Sequence, residues 1–224
     1  MLKRNDNTHH SIMIVDDHPI IRRGLTEMIN VEPELSVIGE AGSAEDALKF
    51  LELASALPDL IIIDVDLGVE SGLELIKQIR KRYPKVQVLA ISMHEENLYA
   101  ERALRAGARG YIMKEHAAEQ FLVAIRRILA GDIYLSQAMH QKMLRARTEQ
   151  ESAAGIQPIA TLSDRELEVF RLIGMGLTCA EIAQKYNRSI KAIEANRASA
   201  RDKLGLKTTS ELTHLATRWV NPEV

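Results

Sequence analysis

Short runs dominated by apolar residues recur along the first half of the chain. Ile12-Met13-Ile14-Val15, Leu60-Ile61-Ile62-Ile63, Val86-Gln87-Val88-Leu89-Ala90-Ile91 and Gly110-Tyr111-Ile112-Met113 are brief and rich in β-branched residues. Such runs mark strands buried on both faces of a parallel sheet. Leu35 to Glu40 is a fifth, more mixed strand. Between them, Pro19–Asn30, Ser43–Ala56, Ser71–Tyr83, Glu96–Ala106 and Ala117–Ala130 read as helices, several opened by serine or an acid and closed by glycine or a polar turn. Leu73, Ile76 and Ile79 share one buried helix face. Five βα units with right-handed crossovers predict a doubly wound, five-stranded parallel sheet.

From Thr161 onward the periodicity is purely helical. Ser163-Asp164-Arg165-Glu166 and Thr178-Cys179-Ala180-Glu181 are capping boxes, and Ser189 and Thr208 cap two further helices. Short helix, tight turn and longer basic helix predict a helix-turn-helix plan within an all-α domain of four helices. The expected organisation is an extension over 1–10, an α/β domain over 11–130, a partly helical linker over 131–160 and the helical domain over 161–224.

Chemistry gathers at the strand ends, where open α/β sheets bind ligands. Asp16-Asp17 follows one strand, Asp64 another, Ser92 a third and Lys114 a fourth. A carboxylate at such an edge is a nucleophile toward phosphoryl groups if a cation offsets the charge. Three converging carboxylates suit Mg²⁺, a hard ion that takes oxygen ligands. The plainer reading of Asp16-Asp17-His18-Pro19 is helix punctuation, since acids and proline favour a helix start.

Charge is nearly balanced, with 29 Lys+Arg against 31 Asp+Glu, but it is unevenly spread. Residues 1–130 hold 16 basic against 20 acidic side chains, and residues 161–224 hold 10 against 8. The excess of cations lies in the helical part, where a polyanion would bind. From Arg188 to Lys207 six cations stand against two acids, Glu194 and Asp202. With Ile193, Ala200 and Leu204 turned inward, Arg188, Lys191, Glu194, Ala195, Arg197, Ala198 and Arg201 are available to a DNA groove. Lys and Arg suit guanine or phosphate, Ala195 and Ala198 permit close approach, and Glu194 accepts from cytosine. A solvated, salt-bridged helix is the bland alternative. No apolar run approaches a membrane span, the amino end lacks a signal segment and the one cysteine, Cys179, reads as a small buried or half-buried side chain, with a reactive thiol the alternative. The expected location is the cytoplasm.

Asp16-Asp17-His18-Pro19, Pro58-Asp59-Leu60-Ile61-Ile62-Ile63-Asp64, Ser92-Met93-His94-Glu95-Glu96 and Gly110-Tyr111-Ile112-Met113-Lys114 resemble, in that order, a two-component receiver domain of flavodoxin-like fold. Leu162-Ser163-Asp164-Arg165-Glu166-Leu167-Glu168-Val169, Gly176-Leu177-Thr178-Cys179-Ala180-Glu181-Ile182-Ala183 and Lys203-Leu204-Gly205 resemble a LuxR-type DNA-binding domain. The pairing is that of NarL/FixJ-type response regulators. The resemblance implies a non-enzymatic transcription regulator in which Asp64 accepts phosphate from a sensor histidine kinase. Asp16, Asp17, Asp64 and the backbone carbonyl of Asp66 would hold Mg²⁺. Lys114 would pair with the phosphoryl group, Ser92 would swing to it and Tyr111 would follow inward. Phosphorylation would then favour a homodimer on double-stranded DNA with inverted half-sites, with RNA polymerase a further partner. Leu212, Leu215 and Trp219 are candidates for pairing the carboxyl-terminal domains, against a role in closing the four-helix core.

Three positions depart from the family pattern. The loop Asp66-Leu67-Gly68-Val69-Glu70-Ser71-Gly72 lacks the usual proline, which predicts a freer loop, and Asp66 and Glu70 add negative charge near the metal. Ala192 and Asn196 stand where Thr and His are common, which bears on DNA affinity and operator preference. Two other functions remain as alternatives: a receiver that signals by protein contact without phosphate, and a haloacid-dehalogenase-like phosphatase using Asp64 and Asp66.

Overall fold

The computed structural model describes residues 9–68, 70–93, 96–141 and 158–220. Residues 1–8, most of the expected extension, and 142–157, the middle of the expected linker, lie outside the described residues. The chain divides into two compact units, one within residues 1–145 and the other within 146–224.

In the first unit β1 (His10–Val15), α1 (Pro19–Asn30), β2 (Leu35–Ala41), α2 (Ala44–Leu53) and β3 (Leu60–Asp64) follow one another. The short strands β4 (Asp66–Leu67) and β5 (Glu70–Ser71) come next, then α3 (Gly72–Arg82), β6 (Gln87–Ser92), α4 (Glu96–Ala106), β7 (Gly110–Met113) and α5 (Ala117–Leu129). The main sheet has the order β2-β1-β3-β6-β7, with every neighbouring pair parallel. Ile12, Ile14, Leu60, Ile62, Leu89, Ile91 and Ile112 form one core with Leu25 and Ile29 of α1 and Phe121, Ile125 and Ile128 of α5. Their neighbours Met13, Val15, Ile61, Ile63, Val88 and Ala90 are equally buried, so successive residues bury on opposite faces of the sheet and the strands show no polar alternation.

This order fixes the site. Val15 pairs with Ile63, Asp64 with Ile91 and Ser92 with Met113. The residues that end β1, β3, β6 and β7 therefore fall side by side on one edge. Gly72 opens α3 hard against β3, and a Cβ there would stand 1.9 Å from the Asp64 carbonyl oxygen. In the loop without proline, β4 and β5 pair antiparallel across Gly68, whose φ of 62° is one that glycine adopts freely. The Glu70 carboxylate accepts the N–H of Ala44 at the start of α2, so its charge is turned to a helix N-terminus.

The first unit extends past the boundary expected at residue 130. Tyr134 forms a parallel bridge with Gly110, and Leu135 and Met139 are buried. Backbone pairing with β7 explains the difference: the chain continues along the open edge of the sheet.

The second unit holds α6 (Asp164–Gly174), α7 (Cys179–Lys185), α8 (Ile190–Lys203) and α9 (Thr209–Val220). Both expected capping boxes form, and Ser189 caps α8 through the N–H of Ala192. Leu167, Phe170, Ile182, Ile193, Ala200, Leu212 and Ala216 make the core. Backbones of α6 and α9 meet at Gly174, where a Cβ would lie 2.4 Å from the Ala216 carbonyl oxygen. No helix among the described residues is long and apolar enough to cross a membrane.

The close approach at Gly72 yields a test. Gly72→Ala is expected to destabilise the first unit by about 3 kcal/mol, whereas Gly24→Ala, with nothing within 4 Å of the added carbon, stabilises it by about 0.5–1 kcal/mol. Urea denaturation of the full chain distinguishes the two.

Candidate functional site

At the carboxyl edge of the sheet one lysine serves two buried carboxylates. Lys114 Nζ lies 2.6 Å from Asp64 Oδ2 and 2.7 Å from Asp16 Oδ2, and both acids are almost fully buried. Burial pushes the Asp64 carboxyl up to about 7 even against the pull of Lys114, with Asp16 adding repulsion. Burial works against the Lys114 ammonium, but Asp64 and Asp16 outweigh it and hold its pKa above the usual lysine value. One positive charge is thus shared among more negative charge than it can neutralise.

Asp17 completes the group. Asp16 Oδ2 and Asp17 Oδ1 are both buried, with the Lys114 ammonium 2.7 Å from the first and the His18 imidazole 2.8 Å from the second. Single ligand atoms of Asp16, Asp17, His18 and Asp64 all lie within 4.8 Å of one another. Carboxylate oxygens crowded around a single ammonium fit a hard divalent cation such as Mg²⁺. The loop is held by the Asp16 carboxylate, which accepts the His18 N–H at 2.8 Å, and by Arg22, whose guanidinium donates to the Asp16 carbonyl at 2.6 Å. Asp66 enters through its backbone, its N–H donating to Asp64 Oδ1 at 3.2 Å.

Ser92 and Tyr111 sit next to this group on β6 and β7. Both are buried. Burial raises the Tyr111 hydroxyl far above the ordinary tyrosine value, opposed by its hydrogen bond with Ser92. The inward position expected of Tyr111 after a switch is the one it holds here.

In the second unit the exposed face of α8 carries Lys191, Glu194 and Ala195, and Arg188 is exposed just before it. Arg197 and Ala198 are half-buried, and Arg197 lines a cavity of about 250 Å³ with Leu177, Thr178, Cys179 and Thr213. Arg201 is drawn to Asp202 by two hydrogen bonds, at 3.0 and 2.6 Å. Glu166, buried on α6, accepts the Ser163 N–H at 2.6 Å, the Ser199 hydroxyl at 2.6 Å and the Lys203 ammonium at 2.7 Å. Burial raises its pKa, but these donors prevail and bring it to about 2. The cap of α6 and the orientation of α8 thus depend on one carboxylate.

The family comparisons agree with this geometry. Residues 12–126 match the response regulator receiver domain, and residues 160–216 match the bacterial regulatory proteins of the luxR family. The chain is a two-component response regulator of the NarL/FixJ type. It is 32% identical over 209 residues to the oxygen regulatory protein NreC of Staphylococcus aureus (strain JH9), covering 92% of this chain and 95% of that protein. A LuxR-family two-component response regulator from Aurantimonas sp. SI85-9A1 shares 32% identity and a TM-score of 0.57, over 63% of this chain and all of the other. The RcsB response regulator of Salmonella typhimurium shares 25% identity and a TM-score of 0.69, over 95% of this chain and 98% of the other. A receiver joined to a LuxR-type domain makes the chain a transcriptional regulator of a two-component system. Membership of a family of DNA-binding regulators leaves the phosphatase reading without support.

The receiver brings Asp16, Asp17, Asp64 and Lys114 together, with Ser92 and Tyr111 beside them. The LuxR-type domain places the remaining candidates as follows. Leu212 is fully buried in the domain core, Trp219 is half-buried and meets Phe170 in a tilted contact with ring centroids 5.7 Å apart, and Leu215 is half-buried. Arg201 and Lys203 are engaged by Asp202 and Glu166, which leaves Arg188 and Lys191 as the exposed cations at the start of α8. Sequence reading missed Arg22, the contact of Glu70 with the start of α2 and the second role of Glu166. The capping box flagged Glu166, but nothing local pointed to Ser199 or Lys203.

The state of Asp64 sets a pH-dependent stability. With its folded pKa raised from 3.8 to about 7, its contribution is fully present below about pH 4 and is lost as pH rises through about 7. At pH 8 without divalent cation, Asp64→Asn is expected to melt about 3–8 °C above the wild type, and the gap should close at pH 5 or on adding Mg²⁺. A wild type that melts higher at pH 8 contradicts this.

Proposed function

We propose that Asp64 accepts a phosphoryl group from a sensor histidine kinase and that this modification promotes dimerisation and operator binding by the LuxR-type domain. The observation that carries the reading is the buried Asp64 held 2.6 Å from Lys114, which it shares with Asp16, with Asp17 close enough to complete an acidic cluster. A carboxylate oxygen of Asp64 attacks the phosphorus of a phosphohistidine. The P–N bond breaks, the imidazole leaves with a proton, and an acyl phosphate remains. Asp16, Asp17, Asp64 and the Asp66 carbonyl would hold Mg²⁺, which supplies positive charge against the phosphoryl oxygens.

Lys114 is released from Asp64 to pair with the new dianion. Ser92, fully buried on the neighbouring strand, donates its hydroxyl to a phosphoryl oxygen, and its bond with Tyr111 is given up. The switch is a two-state element biased by a local change of charge. In the LuxR-type domain, α8 enters the major groove with Lys191, Glu194, Ala195 and Ala198 toward the bases and Arg188 at phosphate. A dimer places two such helices in successive grooves, reading inverted half-sites about one helical turn apart.

Incubation with Mg²⁺ and acetyl phosphate followed by intact mass measurement tests the chemistry. The wild type should gain one acid-stable, base-labile phosphoryl group and shift toward dimer on gel filtration. Asp64→Asn should do neither, and an equal adduct on that variant would place the acceptor elsewhere.

A further inference from the structure

The chain that leaves α5 is fastened to the same part of the receiver that holds Ser92 and Tyr111. The N–H of Tyr134 donates to the Arg109 carbonyl at 2.9 Å, and its carbonyl accepts the N–H of Tyr111 at 3.1 Å. The Tyr134 hydroxyl donates to Gln120 of α5 at 3.1 Å. Two residues on, the N–H of Ser136 donates to the Glu96 carboxylate at 2.8 Å. Ser136 then starts a helical turn over residues 137–141, its hydroxyl accepting the Met139 N–H at 3.1 Å and its carbonyl the His140 N–H at 3.0 Å. Leu135 and Met139 are buried beneath. Beyond residue 141 the chain leads to the DNA-binding domain.

We infer that residues 132–139 are a strap that couples the Ser92–Tyr111 pair to the segment entering the DNA-binding domain, with Glu96 the positioning residue that latches it. The inference rests on the phosphoacceptor reading of Asp64 and names how its signal leaves the receiver. Glu96 is the first residue of α4, four residues after Ser92. Its carboxylate adds to burial in raising both the Tyr111 and the Tyr134 hydroxyls. Drawing Ser92 toward a phosphoryl group on Asp64 moves the start of α4. The backbone of β7, paired to β6 on one side and to Tyr134 on the other, has no such pull on it. The Glu96–Ser136 bond therefore joins a part that moves to a part that stays. It breaks on phosphorylation and the turn at residues 136–140 loosens, which releases two DNA-binding domains to meet.

Hydrogen exchange on the full chain, with acetyl phosphate and Mg²⁺ present or absent and the Asp64 adduct followed by intact mass in the same sample, tests the strap. In the wild type the Ser136 and Met139 amides should exchange about tenfold faster once the adduct forms, the effect of losing roughly one net hydrogen bond, while Tyr134 stays protected. Glu96→Ala should exchange fast at Ser136 and Met139 in both states. Glu96→Gln, whose side-chain oxygen still accepts the bond, should behave as wild type. An adduct with unchanged exchange at Ser136 and Met139 overturns the strap and leaves the acceptor standing. Absence of any adduct overturns the acceptor reading, and the strap's trigger with it.

Discussion

One ammonium group divided between two buried carboxylates is the constraint on which the receiver depends. Lys114 lies within 2.7 Å of both Asp16 and Asp64, and desolvated charges held this way are costly unless every partner is in place. The hydrophobic sheet beneath supplies the stability that makes the arrangement tolerable, since the isoleucines of β1 and β3 are wholly buried. A negative charge in excess of its partner is a reason for the site to bind cations, and under the proposed function the oxygens of a phosphoryl group on Asp64 would take over the lysine.

The LuxR-type domain repeats the idea with the signs arranged for rigidity. Glu166 takes three donors from two helices, so its charge is matched and its pKa falls. The receiver keeps a poorly satisfied charge group that can change state; the DNA-binding domain keeps a well satisfied one that holds α8 still. A switch and a reading head need these opposite properties.

Much of this was legible in the sequence. Apolar runs without alternation announced strands covered on both faces, and the residues that follow them announced the site, because strand ends in a parallel sheet share one edge. Capping boxes at Ser163 and Thr178 announced helix starts, since the bonds they make are local. What stayed hidden were polar contacts between residues distant in sequence: Arg22 on the Asp16 carbonyl, Glu70 on the start of α2, Glu96 on Ser136, and Glu166 on Ser199 and Lys203. Each uses a side chain whose type is ordinary on a surface. Tyr134 was placed in a linker because its strand is a single bridge, too short for any periodicity. Leu212 and Trp219 fitted pairing and core closure equally well by spacing, and only Leu212 is fully buried in the core.

Under the proposed function, charge at Asp64 governs DNA binding by the LuxR-type domain. DNA selected from a random pool by the full chain, titrated at fixed salt with Mg²⁺ and with or without beryllofluoride, tests it directly. Beryllofluoride should tighten binding by about tenfold or more in the wild type and leave Asp64→Asn unchanged. Equal affinity with and without it in the wild type would contradict the account.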